Sequence, residues 1–232
     1  AVEQLRWFPF EDLEFARIDH HRSLRKGFPE VIFGPGKTPG QVVEIADTLI
    51  ARSDRLLITR TTPEVYQAVH TRLPDAKYSD VSGLISIDRR SEKLQLPGIL
   101  LVSAGTSDQS VVEEVVTTAE LFDSDVNQIR DVGVAGIHRL LATLPTLREA
   151  RIIVAVAGME GALPSVISGL VEAPVIGVPT SIGYGTNLNG ITPLMAMLTS
   201  CSPGLSVVNI DNGFGAGYLA GMLNRLAFPN IR

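Results

Sequence analysis

The sequence predicts an α/β protein built around a doubly wound parallel sheet, with a smaller α/β domain ahead of it. Two observations carry that expectation. "GILLVSAG" (98–105) and "ARIIVAVAG" (150–158) are continuous apolar runs closed by glycine, and "APVIGVP" (173–179) and "LSVVNI" (205–210) are shorter ones. Unbroken apolar character marks strands buried on both faces, as a parallel sheet requires. Between the runs, apolar residues recur at helical spacing: Val111, Val112, Val115, Ala119 and Phe122 in one segment, Leu163, Val166, Ile167, Leu170 and Val171 in another. Strand, glycine loop and helix repeat in that order over 97–232, which is the signature of a doubly wound domain. Its ligand is expected beyond the carboxyl ends of the strands.

Residues 1–96 read differently. Charges concentrate in "RIDHHRSLRKGFPEVIFGPGKTPGQ", followed by a helix ("GQVVEIADTLIAR"), a strand ("RLLITR"), a second helix ("PEVYQAVHTRL") and one or two short strands around "LISI". This is a smaller α/β unit. The boundary is expected between Lys93 and Gly98, where polar residues give way to the first core strand.

Composition narrows the function classes. The chain has 232 residues, 45% hydrophobic and 19% charged, enough for a packed core. A formal charge of −5 argues against a nucleic-acid surface, which needs concentrated Lys and Arg. The single cysteine excludes an internal disulfide framework and fits a reducing compartment. No basic start followed by an apolar run opens the chain as given, and no apolar stretch of membrane-spanning length is uninterrupted. The expectation is a cytoplasmic protein with neither a nucleic-acid nor a membrane partner.

Several loops carry candidate chemistry. In "VSAGTSDQSVVEEV" (102–115), Ser107 or Asp108 caps a helix whose N–H groups suit a phosphate, although an ordinary capped turn explains it too. His138 and Arg139 open another helix, where Arg pairs with phosphate or carboxylate and His moves protons; a solvent-facing pair is the plain alternative. In "AVAGMEGALPSV" (155–166), Glu160 lies between Gly158 and Gly161, and a carboxylate desolvated at a strand end is a candidate general base. "GVPTSIGYGTNLNGITPL" (177–194) offers Gly183, Gly185, Asn187 and Asn189 for close backbone approach and neutral donors. Cys201 precedes Ser-Pro-Gly and the last core strand; most lone cysteines are inert. Gly213, Gly215, Gly217 and Gly221 suit helix packing or a ligand loop about equally.

In order, Ser107-Asp108, His138-Arg139, "AVAGMEGALPSVISGL", "APVIGVPTS" and Pro203-Gly204 resemble the aminoimidazole ribonucleotide (AIR) carboxylase/mutase family of purine synthesis, over about residues 98–226. That resemblance implies a flavodoxin-like, AIR carboxylase-like fold. Two departures stand out: the family has a His two residues before the Pro of its third loop, where this chain has Ala162, and it lacks the N-terminal domain. Over essentially the whole chain, "FARIDHHRSLRKGFPEVIFGPGKT", "GMEGALPSVISGL", "GYGTNLNGITPLMAMLTSCSPG" and "NIDNGFGAGYLAG" are similar to the LarB family, the pyridinium-3,5-biscarboxylic acid mononucleotide synthases of nickel-pincer-nucleotide cofactor synthesis. The resemblance implies carboxylation of the pyridinium ring of nicotinic acid adenine dinucleotide by CO2 or bicarbonate, hydrolysis of its phosphoanhydride with release of AMP, and a homo-octamer.

A pyridinium ring is an electrophile and does not attack CO2 by itself. Thiolate addition at C4 makes an enamine that does, and the thiolate then leaves. On this chemistry Cys201 is the expected covalent catalyst and Glu160 the proton acceptor, with the strand-end loops converging on them. Ser107 and Asp108 hold the ribose–phosphate end, and Arg139, with His138 beside it, serves a phosphate or carboxylate. Gly158 and the loop from Gly183 to Asn189 approach the ring. Asp19, Arg22, Arg25 and Lys37 are candidates for the adenylate half or the hydrolytic step. No organic cofactor is implied; Mg²⁺ at the diphosphate is compatible, though no ligand set in the sequence demands it. A mutase acting on aminoimidazole ribonucleotide and a non-catalytic nucleotide-binding regulator are the alternatives.

Overall fold

The computed structural model describes residues 10–229. Residues 1–9, part of the segment read above for a leader, lie outside the described residues. The chain divides into two compact units, Ala1–Glu92 and Lys93–Arg232.

In the first unit, β1 (Glu11–Asp12) and β2 (Arg17–Ile18) form a small antiparallel pair, followed by the short helix α1 (Arg22–Lys26). Then come β3 (Ile32–Phe33), α2 (Pro39–Ile50), β4 (Arg55–Thr59), α3 (Pro63–Arg72), β5 (Lys77–Ser79) and β6 (Leu84–Asp88). The sheet order is β3-β4-β6-β5, with β3 and β4 parallel and the other pairs antiparallel. Helix α2 starts where it does because Thr38 accepts from the Gln41 N–H while Gln41 reaches back to the Thr38 N–H, with Pro39 preset for the first turn. Thr62 opens α3 by accepting the Val65 N–H at 3.4 Å, with Pro63 in the first turn. The apolar stripes Val42, Ile45, Ala46 and Leu49, and Val65 and Val69, close over Leu56, Ile58, Ile85 and Ile87.

The second unit contains β7 (Leu96–Ser103), α4 (Gln109–Leu121), β8 (Ser124–Ile129), α5 (Ile137–Ala142), α6 (Leu144–Glu149), β9 (Ile152–Ala157), α7 (Leu163–Ser168), β10 (Val175–Pro179), α8 (Ile191–Leu198), β11 (Leu205–Val207) and α9 (Gly213–Leu226). The five-stranded sheet is parallel throughout, in the order β11-β10-β9-β7-β8. Counted within the unit this is the flavodoxin-like doubly wound order, whose direction reverses between β7 and β9.

Both faces of the sheet are covered, which is why β9 has no polar residue. Its Ile152, Val154 and Val156 pack with α4 and α9 through Val112, Val115, Ala119, Ala216 and Ala220. Its Ile153, Ala155 and Ala157 pack with Leu140, Leu147, Leu163, Ile167 and Met197 on the other side. Gly213, Gly217 and Gly221 recur every four residues on one face of α9, where a methyl at each would press on the Val111 carbonyl, the Val115 carbonyl and the Phe122 side chain respectively. They are packing residues between α9 and α4. Among the described residues no helix is long and apolar enough to cross a membrane.

Candidate active site

A cleft of about 360 Å³ opens beyond the carboxyl ends of β7 and β9, at the reversal point of the sheet. The loop after β7 contributes Gly105, Ser107 and Asp108, the segment after β8 contributes Gly133 and Arg139, and the turn after β9 contributes Gly158, Met159, Glu160 and Ala162. Ile182, after β10, closes one edge. Five of the residues singled out in the sequence therefore share one cleft: Ser107, Asp108, Arg139, Gly158 and Glu160.

Asp108 is the buried carboxylate of this cleft, only 3% exposed. It does not cap α4 through its side chain. Instead the Gly105 N–H donates to its Oδ2 at 3.1 Å, and the fully buried Thr180 hydroxyl, after β10, donates to its Oδ1 at 2.8 Å. Burial pushes its pKa up, the two hydrogen bonds pull it down, and the negative charge of Asp211 pushes it up further, leaving it raised. Glu160 was expected to be the desolvated group, but it is exposed. It sits on an exposed turn that lines the cleft.

That turn is tightly held. A methyl at Gly158 would overlap the Ile182 carbonyl oxygen and lie 2.7 Å from Thr180 Oγ1, so only glycine fits. Met159 takes the left-handed φ of 48°, a conformation that costs a non-glycine residue about 1–3 kcal/mol. Two bonds hold it there: its N–H donates to the Ile182 carbonyl at 2.9 Å, and its carbonyl accepts from Asn187 Nδ2 at 3.0 Å.

Asn187 is therefore spent on the fold. It is buried, and its Oδ1 also accepts the Gly190 N–H at 2.9 Å. Gly183, Gly185 and Asn189 do not line the cleft and are exposed. The expected ring-covering loop is a clasp with an exposed tip, because its one buried amide faces backbone groups. His138 is exposed and outside the cleft as well. Arg139 faces the cleft and holds Asp131 at 2.8 Å.

Cys201 corrects the sequence expectation most sharply. It is exposed and does not line the cleft. Helix α8 begins at the carboxyl edge, where Gly190 lies against the Thr180 carbonyl, and carries the chain back along the sheet. The Cys201 loop then sits at the amino edge: Ser168, the last residue of α7, donates to the Pro203 carbonyl at 2.9 Å, and Val175, the first residue of β10, donates its N–H to the Gly204 carbonyl at 3.0 Å. A residue that precedes a parallel strand lies at the opposite edge from residues that follow the strands. Within one chain the loops do not converge on Cys201.

The N-terminal candidates also separate. Asp19 is clamped by Arg25 at 2.6 Å and flanked by Arg22 at 3.6 Å, and its N–H donates to Glu30, which Arg22 also approaches at 3.9 Å. The Arg25 hydrogen bond dominates and holds the Asp19 carboxyl below the ordinary aspartate range. This network precedes β3, at the amino edge of the sheet. Lys37 lies beyond β3 at the start of α2 and donates to the Phe33 carbonyl at 2.8 Å. Asp19, Arg22 and Arg25 do not join Lys37 in one site. Among the described residues no cluster of three His, Cys, Asp or Glu side chains could hold a metal ion.

Comparisons with known proteins match this division. Residues 10–89 match the family described as LarB/PurE-like N-terminal domain, and residues 98–232 match AIR carboxylase. An uncharacterised protein of Methanocaldococcus jannaschii is 39% identical over 97% of this chain and 90% of its own length. An N5-carboxyaminoimidazole ribonucleotide mutase of the same organism is 30% identical over 57% of this chain and 82% of its length. The solved structure of Treponema denticola PurE superposes with a TM-score of 0.43 at 14% identity, over 58% of this chain and 92% of that one. With a LarB/PurE-like N-terminal domain ahead of an AIR carboxylase domain of flavodoxin-like fold, the chain has a LarB-like architecture, belongs to the AIR carboxylase family and is an enzyme of the carboxylase–mutase type.

Proposed function

We propose that this enzyme carboxylates the pyridinium ring of nicotinic acid adenine dinucleotide and hydrolyses its phosphoanhydride, giving pyridinium-3,5-biscarboxylic acid mononucleotide and AMP. The observation that carries the reading is one cleft, at the reversal point of the sheet, that combines Ser107 and Arg139 for an anionic end with Glu160 as a proton acceptor. The Ser107 hydroxyl and the Arg139 guanidinium offer hydrogen bonds to a phosphate or carboxylate.

In the carboxylation, the Cys201 thiolate adds to ring C4 and the ring becomes an enamine. The neighbouring ring carbon attacks CO2, Glu160 takes the proton from that carbon, and the thiolate leaves as aromaticity returns. Because Cys201 is exposed at the amino edge of its own sheet, it serves the cleft of another copy in the octamer. The apolar stripe beside it supports such an assembly: Ile191, Met195 and Leu198 are exposed on one face of α8, and Leu188 and Tyr184 extend it.

The test mixes two inactive variants. Cys201→Ala and Glu160→Gln proteins, each without turnover alone, should regain carboxylation when co-assembled, because hybrid octamers contain clefts with both groups. Failure to complement, with hybrids demonstrated by mass, would remove the shared-cleft mechanism.

A mutase acting on aminoimidazole ribonucleotide is the second reading, favoured by the mutase relative over the C-terminal unit. Against it, Ala162 lines the cleft where that chemistry uses an imidazole. Turnover of the ribonucleotide, but not of the dinucleotide, would establish it.

A further inference from the structure

We propose that Asp108 is the base that deprotonates the water that cleaves the phosphoanhydride. This rests on the dinucleotide reading above and deepens it by giving the hydrolytic step a residue. The reaction needs two proton acceptors, one for the ring C–H and one for water. Two acidic side chains, Asp108 and Glu160, line the cleft, and among the described lining residues there is no histidine or cysteine. Glu160, exposed on its turn, is taken by the ring proton. Asp108 is what remains.

Its surroundings suit the task. Both of its hydrogen bonds come from neutral donors, Thr180 Oγ1 and the Gly105 N–H, so no cation neutralises it. Each oxygen keeps a second lone pair. Burial and the charge of Asp211 make the carboxylate more basic than an ordinary aspartate, which strengthens it as a proton acceptor. The assignment also changes the role expected from sequence. A buried carboxylate repels a phosphate, so Asp108 cannot hold the phosphate end by charge. A carboxylate beside an anhydride is of use when a water lies between them. Its neighbours Ser107 and Arg139 supply the groups that bind an anion.

The step balances. The water oxygen bonds to one phosphorus as its proton passes to the Asp108 carboxylate. The bond from that phosphorus to the bridging oxygen breaks, and its electron pair leaves on the phosphate of the departing nucleotide. One water is consumed and two nucleoside monophosphates result; the proton on Asp108 is then lost to solvent.

The experiment uses the full-length enzyme with nicotinic acid adenine dinucleotide and bicarbonate in ¹⁸O-water, following AMP release and ring carboxylation separately by mass spectrometry. Asp108→Asn should slow AMP release at saturating dinucleotide by about 10²–10⁴-fold, the range for a lost general base. KM should stay within a few-fold. A raised KM with AMP release intact at saturation would overturn the assignment and make Asp108 a binding group. If the Asn variant does not fold, Thr180→Val serves: it removes one donor and keeps the carboxylate. AMP release should then change several-fold at constant KM, and an unchanged rate would overturn the proposal. A wild-type enzyme that releases no AMP would instead refute the dinucleotide reading itself.

Discussion

Asn187→Ala separates a structural amide from a ligand-binding one. In the structure the side chain accepts the Gly190 N–H at 2.9 Å and donates to the Met159 carbonyl at 3.0 Å, with the Ile182 carbonyl at 3.5 Å from the same nitrogen. Truncation removes two well-formed bonds and leaves a buried N–H and a carbonyl without partners. At about 1–3 kcal/mol for each of the two unsatisfied groups the loss is about 2–6 kcal/mol. Left-handed backbone adds to it: Leu188 and Asn189, at φ of 51° and 53°, lose the Gly190–Asn187 bond that spans them, and Met159 loses one of the two bonds that hold it. Because the loss is local, hydrogen exchange reads it best. The Gly190 amide should exchange about 30-fold faster or more, using 1.4 kcal/mol per factor of ten, while amides in β9 keep their protection. Unchanged Gly190 exchange would refute the clasp and return Asn187 to the pool of ligand-binding residues.

Three further outcomes follow from the same geometry. Gly158→Ala puts a methyl into the Ile182 carbonyl and Thr180 hydroxyl, displacing the Glu160 turn; carboxylation should fall about 10²-fold, as displaced catalytic groups do, and an undiminished rate would contradict the close approach. Gly217→Ala should cost about 1–3 kcal/mol in urea denaturation because the added methyl meets the Val115 carbonyl on α4; a neutral result would show that the two helices part freely. For Asp108, the folded pKa lies above the ordinary value of 3.8, so the folded state binds the proton more tightly than the unfolded chain. Its contribution to stability is full below 3.8 and is lost as pH rises through the folded value, so wild type should lose stability relative to Asp108→Asn over that interval. A difference that does not change with pH would contradict the raised pKa.

Much of the fold is legible in the sequence because burial on two faces leaves a plain trace. The runs at 98–105, 150–158, 173–179 and 205–210 are β7, β9, β10 and β11. Strand β8, "SDVNQI", escaped because it is an edge strand with alternate residues exposed, and its polar positions hide the pattern. The site was harder to read. Ser107, Asp108, Arg139, Gly158 and Glu160 follow strands or open helices, and a parallel sheet gathers such residues at one edge. Which carboxylate is desolvated depends on a contact across 72 positions of sequence, Thr180 to Asp108, that no local motif encodes. The position of Cys201 is readable from chain order: it comes before β11, so it belongs to the amino edge of its own sheet. Asp19 and Lys37 share one motif but flank β3, which sends them to opposite edges.

The proposed reaction carboxylates a pyridinium dinucleotide. Purified enzyme incubated with nicotinic acid adenine dinucleotide and ¹³C-bicarbonate tests it most directly, with mass spectrometry of the nucleotides formed. The expected products are AMP and a pyridinium mononucleotide bearing a second, ¹³C-labelled carboxyl group. Unlabelled dinucleotide recovered intact, with label entering aminoimidazole ribonucleotide when that is supplied, would contradict it.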